Sequence, residues 1–578
     1  MNISNASATL KVAVTGCAIA ALTGIGWAQL GGLAAQEWTT SGADAQRSHW
    51  IRKDALISPA SMSSGKFGYL WKLKVSNPAR PEIAFSNPVL VNNAMGYKGF
   101  RSLTMLAGGS NRVFAVDNDF GTIYWEKAFN VALPKESTSA CPGGMTAAAS
   151  RNTNADPSAL AGRGPVIRSP FKSALSEPGA GASVDSAPYL PGSAARANTP
   201  AAAPQAPAAS PAVAAGRGPG RGRGPTFPTG AQPITILSSD GVLHFVSPVT
   251  AKELLKPTPF LPANAHATDL TSVNGRVYTA TVNECGGVPN AVWAVDPTSE
   301  NPEVISWKTN GGSVAGTLAF GADGTVYAAI GEGKAAEGGY ANAVVALEPE
   351  TLKVKDWVSL PGANFSGAPV VLRSRGKELL AAVGADGRIF LLETASLGGA
   401  DHRTPLEVTL PSAGPRTNAV PRALASWEDE KGVRWLLAPS ATPATGTRFP
   451  ATNGTVTTGA VTAYRVRFGA KPALEPACVS RDLAAPLTPI IVNGLVFALA
   501  SGEYHPGDSA LSANERSRQS SPAVLYALDA ATGKDIWNSG KTITSFVRGT
   551  ALSSSPGQVY VVAADSTIYC FGMPYERQ

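Results

Sequence analysis

The chain has 578 residues, 44% of them hydrophobic and 15% charged, with a formal net charge of +7. That apolar content excludes wholesale disorder. A count of 60 Gly and 45 Pro argues for a turn-rich β protein and against a helical bundle.

In chain order, the first feature is an export signal. Lys11 is the only charge before residue 37, and an apolar stretch from Val12 to Trp27 follows it. Gly26-Trp27-Ala28 supplies small residues at the cleavage positions, so residues 1–28 read as a signal peptide and the mature chain as periplasmic or secreted. Val14-Thr15-Gly16-Cys17 resembles an acylation box only superficially, because most of the apolar stretch follows the cysteine. No run reaches the roughly 18 apolar residues of a membrane helix.

Residues 29–150 are expected to hold an N-terminal closure strand, blade 1 of a propeller and the start of blade 2. Residues 151–232 differ in composition. Ala, Pro, Gly and Ser make up 51 of the 80 residues from 151 to 230, and that stretch carries +5 of the net +7. Without a sustained apolar period it reads as a long disordered insertion. Its Arg-Gly tract, Arg217 to Arg223, lacks aromatics, so no specific nucleic-acid partner is expected.

The remaining residues, 233–578, are expected to complete blade 2 and form blades 3–8, because one pattern recurs. An apolar run ends in an acid, a turn follows, and often a Trp. Copies are Val113 to Asp117, Val292 to Asp296, Val344 to Glu348, Ile389 to Glu393 and Leu525 to Asp529, with weaker ones ending at Ser247, Arg465 and Gly572. The smallest spacings, 43 to 52 residues, match one four-stranded propeller blade. The largest, 130, contains the insertion. The pattern predicts an all-β, eight-bladed propeller of four-stranded blades. Too few residues follow Gly572 for a last outer strand, whereas Gly68 to Val75 is a Trp-bearing run with no blade before it. It is expected to close the eighth blade, placing Trp71 beside Ile568 to Phe571.

Leu525-Tyr526-Ala527-Leu528-Asp529-Ala530-Ala531-Thr532-Gly533-Lys534-Asp535-Ile536-Trp537 resembles the repeat of the pyrroloquinoline quinone (PQQ) β-propeller superfamily. Trp38 to Ser48 is similar to the opening segment of such proteins. The resemblance implies the fold; the superfamily spans quinone-dependent alcohol and sugar dehydrogenases and cofactor-free binding scaffolds. A quinoprotein alcohol dehydrogenase typically has an adjacent-cysteine pair, calcium ligands and an aspartate base. The five cysteines here, at 17, 141, 285, 478 and 570, include no adjacent pair. Asp117-Asn118-Asp119 lacks the spacing of a calcium loop and reads as a turn. The chain is therefore expected to be a secreted binding or scaffolding module, with no predicted catalytic residue, metal site or cofactor; PQQ with calcium belongs to the alternative reading, a dehydrogenase of alcohols or sugars with an atypical site.

Loops between second and third strands are long in blades 3, 4, 6 and 7, which marks one loop-rich face as the binding surface. Glu284, Tyr504, His505 and Asp508 are its polar candidates. Asp269, Arg422 and Arg548 precede innermost strands and are candidates to face the central channel. The expected partner is a protein, small molecule or polysaccharide on that face, bound by a monomer. Cys141 and Cys285 fall on the same face in neighbouring blades, each followed by glycines, and are the candidate disulfide.

Overall fold

Strands inside a blade are apolar on both faces because each blade is sandwiched between two others. Val326–Ile330 and Ala343–Leu347 are buried at every position. Outer strands keep one wet face, and Val304–Lys308 alternates accordingly. This is why the repeat reads as a continuous apolar run followed by a mixed, Trp-bearing one.

The computed structural model describes residues 37–77, 85–96, 99–134, 137–138, 140–156, 232–410, 423–440, 449–504, 512–549 and 552–574. Eight sheets form an eight-bladed, nearly all-β propeller. Blade 1 illustrates the plan: Val89–Gly96, Gly99–Gly108, Arg112–Asp117 and Thr122–Ala128 pair in order from the axis outward. The acid of the repeat caps the turn between third and fourth strands. Asp117 Oδ1 accepts from the backbone of Asp119 at 3.0 Å, and Asp529 Oδ1 accepts from Thr532 N at 2.9 Å. Asp117-Asn118-Asp119 is therefore a turn. No group of three or more metal-ligating side chains occurs among the described residues.

The ring closes through Gly68–Lys74, which lies antiparallel to Thr567–Gly572 with Trp71 opposite Cys570 and Leu73 opposite Ile568. Trp71 Nε1 donates to the Asn118 carbonyl in blade 1 at 2.9 Å. Gly121, at φ +61, makes room for that indole: a Cβ there would lie 2.4 Å from Trp71 Cδ2.

The stretch just before the closure strand behaves differently. Trp38 to His49 is buried at every position and coils inside the central channel. Its carbonyls accept in turn from the innermost strands around the ring. Trp38 O takes Leu90 N, Thr39 O takes Arg151 N, Ala45 O takes Phe320 N, Gln46 O takes Val371 N, Ser48 O takes Ser426 N, and His49 O takes Ile491 N. Thr40 Oγ1 donates to Leu270 O of blade 3 at 2.9 Å. Trp50–Ile51 then adds to blade 7, parallel to Ile490–Val492. One short segment thus touches blades 1 to 7.

The insertion leaves the ring between the first and second strands of blade 2, where Ser150 bridges Thr235. Arg151 to Asp156, at the head of the tract read as insertion, nonetheless pack on the ring. Arg151 is fully buried and paired with Glu37. Thr153 N donates to Ser272 O at 2.9 Å, and Asp156 pairs with Arg373 of blade 5 at 2.6 Å. These residues are held by partners far away in sequence, in the channel segment and the inner strands, which composition does not register. No helix among the described residues is long and apolar enough to cross a membrane.

Candidate functional site

The head of each innermost strand lies beside the end of the second strand of its blade, as in the bridges Ala267 to Thr281 and Val314 to Ile330. Strand heads and second-to-third loops therefore share one face. On that face, at the axis, lies a cavity of about 360 Å³. Its walls are strand heads from successive blades: Thr146, Asp269, Thr317, Ser366, Thr488 and Gly549. Its floor is the channel segment, through Ser41, Gly42, Arg47 and His49. Small hydroxyl and glycine side chains dominate because eight blades converge there and leave little side-chain room.

The floor is built around Arg47. Its Nε donates to Leu318 O at 2.6 Å, one terminal nitrogen to Thr40 Oγ1 at 3.0 Å and to Ser41 O, and the other to Thr317 Oγ1 at 3.2 Å and to Thr271 Oγ1. All five guanidinium N–H bonds are spent on the protein. Burial pushes the Arg47 pKa down to about 10, against the opposing charges of Asp269 and Asp44. Asp44 is itself held by Ser48 N at 3.0 Å and by Arg52 at 3.2 Å. Ala43, Arg47 and His49 all adopt positive φ, at 75°, 61° and 55°. Conformations of that kind cost about 1 kcal/mol each and persist only where surroundings impose them.

Two imidazoles face the cavity. His49 is 4% exposed, and no hydrogen-bond partner for its ring occurs among the described residues. Burial lowers its pKa to about 4, with Asp44 opposing and Arg47 adding to the shift, so the ring is neutral at pH 7. Gly42 leaves space for it: a Cβ there would sit 3.2 Å from His49 Nε2. His266 is also lowered by burial, against the hydrogen bond to Ala140. Its Nδ1 lies 2.7 Å from the Ala140 carbonyl. A carbonyl only accepts, which assigns the proton to Nδ1 and leaves Nε2 with an open lone pair.

Asp269 is the one candidate from the sequence that lines this cavity. Its Oδ1 accepts from Ala148 N at 2.8 Å and its Oδ2 from Asn87 Nδ2. Arg548 pairs instead with Glu503 and lies 5.5 Å from the Phe546 ring centre, while its neighbour Gly549 lines the wall. Glu284 is exposed at φ 50°, beside the disulfide, and Tyr504 is 39% exposed on blade 7. Arg422, His505 and Asp508 lie outside the described residues. Cys141 and Cys285 form a disulfide with Cα atoms 5.5 Å apart, tying the connection into blade 2 to the long loop of blade 3. Cys478 and Cys570 are buried free thiols, and burial pushes Cys478 up to about 11.

Sequence reasoning missed Ser41, Arg47, His49 and His266. Their stretches carry no period, and only the resemblance marked Trp38 to Ser48 at all. It also missed a Ser238, His244, Glu253 series, with Ser238 Oγ 3.2 Å from His244 Nε2 and His244 Nδ1 3.0 Å from Glu253. Ser238 is 1% exposed and also bonded to Asp240, and Lys127 holds Glu253 at 3.0 Å. A nucleophile closed off in that way does not meet a substrate, so the series is a structural brace between blades 1 and 2.

No family model matches the chain, and no curated protein matches it in sequence. Solved structures share its fold. A quinohemoprotein alcohol dehydrogenase from Comamonas testosteroni is 14% identical, covers 94% of this chain and 81% of its own, and superposes with a TM-score of 0.50. Another, from Pseudomonas putida HK5, is 11% identical over 94% and 81%, with a TM-score of 0.52. A europium-containing methanol dehydrogenase is 10% identical over 93% and 98%, with a TM-score of 0.53. At such identities the likeness establishes the eight-bladed quinoprotein-type fold.

Proposed function

We propose that this protein is a binding module of an oxidising, exported compartment, and that it takes a small polar ligand at the mouth of its plugged channel. The observation carrying this reading is the axial cavity of about 360 Å³ with His49 buried beside it and open to hydrogen bonding. The rigid ring supplies the wall, and the long loops of blades 3 and 4 rise on the same face. The Cys141–Cys285 disulfide supports the oxidising compartment.

The shared fold raises the alternative of a PQQ-dependent dehydrogenase. PQQ is a planar quinone bearing three carboxylates, held with a cation. It calls for a flat ring to stack on, free cationic donors, and several acidic ligands for the metal. Among the described lining residues the only aromatic side chains are the two imidazoles, the guanidinium of Arg47 has no N–H left to give, and Asp269 is the only carboxylate. These residues do not fit the quinone, so no step is assigned to it. Titrating the purified chain with PQQ and calcium, with dye reduction by alcohols or sugars as the readout, tests the choice. Saturable quinone binding with dye reduction overturns the binding-module reading.

A further inference from the structure

The cavity shows which hydrogen-bonding partners it lacks. Its strong donor is closed: every N–H of Arg47 points to a protein oxygen. Several hydroxyl protons are closed as well. Thr146 Oγ1 donates to Ala267 O at 2.8 Å, Thr317 Oγ1 to Asp269 O at 3.3 Å, and Thr488 Oγ1 to Ala423 O at 3.0 Å. The strong acceptors remain open. Each carboxylate oxygen of Asp269 takes one donor from the protein and keeps a lone pair, and His266 Nε2 keeps its own.

The two possible ligand charges are then unequal. An anion placed here gives up its water shell and meets carboxylate and imidazole lone pairs, with no free charged donor among the described lining residues in return. The positive charge of Arg47 lies beneath the floor, but Asp269 and Asp44 stand against it. An ammonium group brings three N–H donors to acceptors that lack them, one of them charged, which makes the stronger kind of hydrogen bond.

Resting on the reading of this cavity as the binding site, we propose that its ligand carries a primary ammonium or a similarly donor-rich nitrogen group, which donates to Asp269 and His266. His49, neutral and with one donor and one acceptor, takes a neighbouring hydroxyl of the same ligand. The cavity thus selects against carboxylates, the opposite of what a tricarboxylate cofactor requires.

Three probes of matched size separate the charges: glucosamine, glucose and glucuronate. Each is titrated into the full, nitrogen-15-labelled chain while the imidazole signals of His49 and His266 are followed. Glucosamine is expected to move both signals and to bind about tenfold more tightly than glucuronate, the ratio one charge-assisted hydrogen bond supplies. Asp269→Asn is expected to remove about that tenfold for glucosamine and to leave glucose unchanged. The probe ranking is read on the wild-type chain, so it stands even where the variant fails to fold. Equal binding of all three, or glucuronate tightest, overturns the ammonium preference and leaves the cavity as the site. No movement of either imidazole with any probe overturns both.

Discussion

Two stretches close this ring, and they do it by different physics. Gly68–Lys74 works at the rim as an ordinary outer strand: it alternates, pairs with its neighbour in sheet register, and removes an exposed edge. Trp38 to His49 works at the axis without forming a strand, spending its carbonyls on innermost strands from six blades. The rim strand holds two neighbouring blades, whereas the axial coil holds seven. The difference teaches that in a propeller the centre can be a stronger latch than the seam, because one buried segment there is shared by nearly the whole ring.

The comparison breaks first at Arg47. Arg47→Ala removes five buried hydrogen bonds and opens a void between blades 3 and 4. It is expected to cost about 4 kcal/mol in denaturant unfolding, in the range for orphaned buried polar partners. Trp71→Ala, at the half-buried seam, is expected to cost about 2 kcal/mol. If Trp71→Ala proves the more damaging, the seam and not the axis is the main latch.

Between those two lies a pH effect belonging to the axis alone. The pKa of His49 is about 4 in the folded chain against about 6.5 unfolded, so the unfolded chain binds the proton first. The stability from this group is complete above about pH 6.5 and is lost as pH falls toward 4, by about 3 kcal/mol in all. Subtracting the stability profile of His49→Gln from that of the wild type should isolate this slope; parallel profiles would mean that the buried ring does not set it.

The smallest effect sharpens the boundary between axis and insertion. Removing residues 157–231 with a short linker should change the melting temperature by no more than a degree or two, since loop length acts only logarithmically. Extending the deletion back to 151 takes out Arg151 and the Asp156–Arg373 pair, and should destabilise the ring visibly in the same melt. Equal melting temperatures for the two deletions would show that Arg151 to Asp156 contribute nothing.

Legibility in the sequence followed the range of the interactions. The blades were readable because their strands repeat a local period and because an acid must cap the same turn each time, as Asp117 and Asp529 do. The closure was readable because a Trp-bearing run stood without a blade. Cys141 and Cys285 could be paired once the blades placed them on one face. Asp269 could be placed at the channel mouth because strand order puts the head of an innermost strand there, whereas Arg548, one residue from the wall, turns aside to Glu503.

The channel segment is the counterexample. Ser41, Arg47 and His49 sit in a stretch with no hydrophobic period and with positive-φ residues other than glycine, so local propensity says only that it is not regular structure. Sequence by itself determined the number of blades, the order of strands within them and the seam that closes the ring, because each follows from side chains a few positions apart. Only the tertiary structure decided that Trp38 to His49 fill the channel, that Arg47 spends every donor there, and that His49 and His266 are left neutral at the mouth. Those outcomes depend on partners such as Leu318, Thr271 and Ala140, more than a hundred positions away, and on a burial that exists only once the blades have closed around them.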